Sequence, residues 1–111
     1  MPDIELFQYD SDDVPVVLFD NGSPVNLAGS DVNFVMTQDQ QRYSYTIKCK
    51  MGATIDGNII PYTAGGITIN FSEMETSHDG LFFCYFKVSK FGKFITYPTV
   101  GYVTTKIKKK L

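Results

Sequence analysis

The run Asp79-Gly80-Leu81-Phe82-Phe83-Cys84-Tyr85-Phe86-Lys87-Val88 constrains the fold more than any other part of the chain. A turn pair opens it, and seven of the eight residues that follow are apolar or aromatic. Successive side chains of a strand point to opposite faces. One face therefore carries Phe82, Cys84, Phe86 and Val88, and the other carries Leu81, Phe83 and Tyr85. A half-buried strand would show polar residues on one of those faces. Here both faces need cover. Either the strand is buried on two sides, or another molecule covers its outer face.

The rest of the chain repeats the period of two. Val32, Phe34 and Met36 alternate with Asn33, Val35 and Thr37; Tyr43, Tyr45, Ile47 and Cys49 alternate with Ser44, Thr46, Lys48 and Lys50. Ile67, Ile69 and Phe71 alternate with Thr68 and Asn70, and Val103, Thr105 and Ile107 with Thr104, Lys106 and Lys108. These runs are rich in β-branched and aromatic residues, as strands are. Between them stand Asp20-Asn21-Gly22-Ser23, Ala28-Gly29-Ser30, Asp56-Gly57-Asn58, Ala64-Gly65-Gly66, Asp79-Gly80 and Phe91-Gly92-Lys93. Such residues supply positive φ or local side-chain bonds at turns. No segment keeps a helical period; Met74 to His78 reads as a loop closing one end of the fold. The pattern predicts an all-β protein, an antiparallel immunoglobulin-like β-sandwich of seven or eight strands, in one domain spanning 1–111. The strands are expected at about 3–9, 14–20, 31–38, 42–50, 66–71, 81–89, 93–97 and 100–109.

Charge is unevenly placed. Residues 1–40 hold eight acids and no Lys or Arg, whereas residues 41–111 hold ten bases and four acids, for a net charge of −2. The ending Lys106-Ile107-Lys108-Lys109-Lys110-Leu111 is expected to be a solvated final strand whose lysines guard its edge. It lacks the interleaved aromatics of a nucleic-acid binder, so no nucleic-acid partner is expected. The opening Met-Pro-Asp-Ile-Glu-Leu lacks the basic and apolar regions of a signal peptide, and no apolar run reaches membrane-spanning length. A reducing compartment, no membrane association and two free, buried thiols at Cys49 and Cys84 follow as expectations.

Residues for catalysis are sparse. The lone histidine, His78, precedes a turn, and both cysteines lie in apolar strand patterns where thiols are usually inert. Two separated cysteines and one histidine do not make a zinc site. Asp10-Ser11-Asp12-Asp13 offers oxygen ligands but lacks the glycine and distal glutamate of a calcium loop. No enzyme activity, metal or cofactor is expected. Surface for binding remains. The candidates are Leu81, Phe83 and Tyr85 on the strand's outer face, with Phe91 and Phe94 around the aromatic turn, because aromatics are enriched at interface hot spots. The competing expectation is that Ile4, Leu6 and Tyr9 of the opening segment cover that face.

Two resemblances sharpen the reading. His78-Asp79-Gly80-Leu81-Phe82-Phe83-Cys84 resembles the sixth strand of an immunoglobulin-like domain, with His78 at the family's aspartate and Phe82 at its corner tyrosine. More of the chain, through Asp20-Asn21-Gly22-Ser23-Pro24-Val25-Asn26-Leu27-Ala28-Gly29-Ser30-Asp31-Val32-Asn33-Phe34 and Thr96-Tyr97-Pro98-Thr99-Val100-Gly101-Tyr102-Val103-Thr104-Thr105-Lys106-Ile107, resembles the N-terminal domain of the phage baseplate upper protein family. That likeness implies a structural module of a bacteriophage virion, made in the host cytoplasm. It would dock to other tail or baseplate proteins and could form a homo-oligomer. Family members usually continue into a longer C-terminal receptor-binding or fibre region, so a chain stopping at Leu111 is expected to be a free-standing module or a piece of a longer one. The alternative function is a carbohydrate- or receptor-binding sandwich, with Tyr43, Tyr45, Tyr97 or Tyr102 as stacking platforms.

Overall fold

The computed structural model of the chain describes residues 3–38, 42–98 and 101–111. Strands dominate it, and no α-helix occurs among the described residues. In chain order they are β1 (Ile4–Phe7), β2 (Asp12–Val17), β3 (Phe19–Asp20), β4 (Ser23–Pro24) and β5 (Asp31–Gln38). Then come β6 (Ser44–Lys48), β7 (Lys50–Met51), β8 (Ala53–Ile55) and β9 (Asn58–Ile60). The last four are β10 (Gly66–Phe71), β11 (Gly80–Lys90), β12 (Lys93–Tyr97) and β13 (Val103–Lys108).

The apolar run seen in the sequence is β11, the middle of a six-stranded sheet ordered β1-β13-β11-β5-β6. Along one edge it pairs antiparallel with β5, from Phe82 opposite Gln38 to Ser89 opposite Asp31. Two strands share its other edge: β13 takes Gly80 to Cys84, and β12 takes Phe86 to Lys90. β12 ends at Tyr97, ahead of Pro98, which has no N–H for a ladder. β1 joins β13 in parallel, with Leu6 beside Ile107. A second sheet, β2-β10-β7, is antiparallel throughout.

The two sheets pack face to face. Val32, Phe34 and Met36 of β5 and Phe82, Cys84, Phe86 and Val88 of β11 bury their side chains with Ile67, Ile69 and Phe71 of β10. Phe34 meets Phe71 edge-on at 5.8 Å between ring centroids and Phe86 at 5.0 Å. Each fully buried side chain of this size stabilises the fold by about 1.5–3 kcal/mol. The first residue of β10, Gly66, has to be glycine, because a Cβ there would meet the Ile60 and Pro61 carbonyl oxygens.

Three hairpins share one turn. Asn21-Gly22 joins β3 to β4, Asp56-Gly57 joins β8 to β9, and Phe91-Gly92 joins β11 to β12, with positive φ at all six residues. Two positive φ values in a two-residue loop define the turn whose twist matches that of the flanking strands.

The all-β expectation holds, and the strands at 31–38, 66–71 and 93–97 fall where the alternation puts them. The count of seven or eight does not. The run at 14–20 is divided at Leu18, where pairing passes from β10, the partner of β2, to β4, the partner of β3. The run at 42–50 is divided at Cys49, where the chain leaves the six-stranded sheet for the three-stranded one. The β8–β9 pair adds strands too short to show a period, although its turn signal is plain. The expected strands at 3–9 and 100–109 shorten to 4–7 and 103–108, and Val100 lies outside the described residues.

Candidate interaction surface

Alternation along β11 decides which face is core. Phe82, Cys84, Phe86 and Val88 are buried between the sheets, whereas Leu81 is exposed and Phe83 and Tyr85 are half-buried on the outside. The register places Thr104 and Lys106 of β13 and Thr37 and Val35 of β5 beside them. Phe83 packs edge-on against Tyr102 at 4.7 Å, and Tyr102 is itself 58% exposed. The expected internal cover is absent. Leu6 points inward beside Ile107, because parallel pairing to β13 puts it on the core face. Tyr9 is exposed, and Ile4 packs against the core cluster.

Toward the β11–β12 turn the surface gains aromatics. Phe94 is 62% exposed and Phe91 is 87% exposed. Lysines lie over these rings: Lys87 Nζ is 4.3 Å from the Phe94 centroid, and Lys90 Nζ is 5.6 Å from that of Phe91. At the far corner Lys108 Nζ stands 4.4 Å over Phe7 and 3.6 Å from Glu5 Oε2. The acidic opening and the basic ending of the chain are thus neighbours within one molecule. So exposed an ion pair contributes at most about 1 kcal/mol. The five sequence candidates therefore fall into two groups, a stripe of Leu81, Phe83 and Tyr85 and a tip of Phe91 and Phe94.

Alternation alone could not reveal the cluster at the end of the sheet. His78 stacks on Tyr43 at 3.6 Å, and its Nδ1 lies 3.0 Å from the Tyr45 hydroxyl and 3.1 Å from Ser77 Oγ. Ser77 Oγ donates to the Met74 carbonyl at 2.7 Å, which leaves it to accept from Nδ1. The imidazole therefore pins the 72–79 loop to β6. Glu75 helps fold that loop by accepting from Ser72 N and Oγ, both at 2.9 Å. Thr76 Oγ1 donates to the Asp10 carbonyl at 2.8 Å, tying the loop to the β1–β2 connection.

Among the described residues no three His, Cys, Asp or Glu side chains gather as metal ligands. Asp12 and Asp13 are neighbours on β2, so their carboxylates diverge to opposite faces. Asp12 Oδ1 accepts from Asp13 N, and Asp13 Oδ1 accepts from Asn70 Nδ2 at 2.7 Å. The two cysteines are free and buried. Burial pushes both thiols up to about 12, so each stays protonated and unreactive in the folded protein. Of the four tyrosines considered as sugar platforms, Tyr97 is buried, one ring face of Tyr43 is taken by His78, and Tyr45 is half-buried against the core with its hydroxyl on His78, which leaves Tyr102 as the exposed one. On the opposite side of the molecule, an open cleft of about 410 Å³ lies beside the three-stranded sheet, between Asp13, Lys50, Thr68 and Asn70 and the exposed Ile59 of β9.

This geometry defines an all-β module with an exposed aromatic sheet face. A solved structure with the same fold is the N-terminal domain of phage TP901-1 ORF48. The two are 17% identical, with a TM-score of 0.57 over 97% of this chain and 84% of that one. No protein-family model matches the chain, and no curated protein matches it in sequence.

Proposed function

We propose that the chain is an immunoglobulin-like sandwich serving as a structural module of a phage virion, docking to other virion proteins through the outer face of its six-stranded sheet. The observation that carries the reading is the stripe of Leu81, Phe83 and Tyr85 with Tyr102. It is an apolar, aromatic patch at the centre of a sheet that no element of the chain covers among the described residues. Large exposed apolar patches rimmed by polar residues mark interaction sites. Here the rim is Thr37, Thr104, Lys87 and Lys106. The fold shared with a phage protein's N-terminal domain supports the virion setting. The parallel β1–β13 pair beside β11 and β5 supports the immunoglobulin-like comparison.

Docking of this kind needs no catalytic group. Phe83 and Tyr102 act as rigid anchors with few rotatable bonds, and the lysines and threonines set orientation at the rim. Quantitative mass spectrometry of purified particles of the phage encoding the chain tests the proposal. The chain is expected at a fixed copy number relative to the capsid protein. Finding it only in the soluble lysate would overturn the reading.

A further inference from the structure

We propose that the open edge of β12 takes up an extended acidic segment of another protein as an added strand. This goes beyond the docking stripe of Leu81, Phe83, Tyr85 and Tyr102 and shares with that face only the rim residue Lys87. Among the described residues β12 pairs with β11 on one side only, and Lys93, Phe94, Ile95 and Thr96 are all exposed. Lys90 and Lys93 close a two-residue hairpin, and from such a closing pair outward the ladder alternates between hydrogen-bonded and non-hydrogen-bonded pairs. Lys93, Ile95 and Tyr97 therefore bond β11, while Phe94 and Thr96 turn their N–H and C=O groups to the open edge. Lower in the same sheet β13 fills this edge of β11, and β1 lies beyond β13. The vacancy beside β12 continues the column that β1 begins.

Charge selects the occupant. Lys87, Lys90 and Lys93 crowd this hairpin, and among the described residues the one ion pair lies elsewhere, between Lys108 and Glu5. Lys87 Nζ sits over the Phe94 ring, so its charge stands above β12. Lysines on an edge repel a second copy of the same edge. They attract a strand that carries Asp or Glu at alternate positions. These acidic positions would face the groove of about 300 Å³ that opens beside β12, which Lys90 and Lys93 line together with Val25 and Ile95. The strand's other positions would be apolar, because on the opposite face of β12 they would lie beside the exposed Phe94 ring. Strand addition to a free edge joins main-chain bonds for affinity with side-chain pockets for specificity.

Phe91 supplies an independent sign. Its φ is +51°, a region that bulky residues seldom occupy, and its ring is almost wholly in solvent. Asn, Asp or Gly would satisfy the turn. A strained aromatic with no place in the core points to a contact made outside the chain.

The probe is the acetylated, amidated hexapeptide Glu-Val-Glu-Ile-Glu-Val, with Lys-Val-Lys-Ile-Lys-Val as its counterpart, titrated into isotope-labelled protein and followed by amide NMR. The acidic peptide is expected to shift the Phe94 and Thr96 amides and slow their exchange. It should bind about tenfold or more tighter than the basic one and weaken with added salt. Thr96→Pro removes an outward N–H at a position where an edge tolerates proline, and should abolish binding with the fold intact. The paired change Lys90→Glu, Lys93→Glu should reverse the peptide preference, and it keeps the test decisive if Thr96→Pro unfolds. Equal binding of the two peptides, binding unaffected by either variant, or no change at Phe94 and Thr96 with millimolar peptide would overturn the proposal. Phe83→Asp leaves this titration unchanged, so the edge and the face fail separately.

Discussion

Phe34 of β5 meets Phe71 of β10 edge to face at 5.8 Å, and this contact ties the two sheets together. Both rings are buried, and Phe34 also touches Phe86. Phe34→Ala should cost about 3–5 kcal/mol, since nothing at the centre of a sandwich can collapse to fill the space. Urea unfolding followed by circular dichroism would read the loss. A cost below about 1 kcal/mol would mean that the sheets do not close over this pair.

Adjacent residues of β11 should behave oppositely. Phe82 is fully buried and Phe83 half-buried on the outer face. Phe82→Asp buries a charge among apolar side chains and should leave the chain unfolded. Phe83→Asp loses packing against Tyr102, should cost about 1 kcal/mol, and should stay folded. Thermal melts of the two variants check the assignment of the faces.

The thiols predict an alkaline limit. Burial is the first cause of the rise from an ordinary 9.0 to about 12 at both Cys49 and Cys84. The folded state keeps protons that the unfolded chain releases, so their contribution is intact below pH 9 and is lost as pH climbs toward 12. The loss is at most about 1.4 kcal/mol per pH unit for each thiol. Cys84→Ala should lower stability at neutral pH and flatten this decline. Iodoacetamide at pH 8 should label neither cysteine until denaturant is added.

Relieving the turn at Phe91 should stabilise the domain. Phe91→Asn suits the positive φ and removes an exposed ring, for a gain of about 0.5–1 kcal/mol. A higher melting temperature is the expected result. A lower one would mean that Phe91 packs within the chain.

Much of this fold is legible in the alternation of β5, β10 and β11, because burial on one face imposes a period of two over six or more residues. Where the chain changes partners the signal fails. The residues on either side of Cys49 alternate without a break, yet they belong to two sheets. The β8–β9 strands are only three residues each, below the length at which a period can be read. The face of Leu6 depends on its pairing with Ile107, more than a hundred residues away, which local pattern does not encode. The outer stripe was readable as apolar, but whether β1 covered it was not. The stacking of His78 on Tyr43 is a long-range contact between a loop and a sheet end, and nothing in the polar residues around His78 announces it.

Incorporation of the Phe83→Asp chain into virions, set against the wild type in otherwise identical phage, tests the central claim most directly. Copy number per purified particle is the quantity measured, with the folded state of the free variant confirmed beforehand. The outer face of β11 as docking surface predicts a folded variant that is missing from the particles. Equal incorporation of the two chains would contradict it.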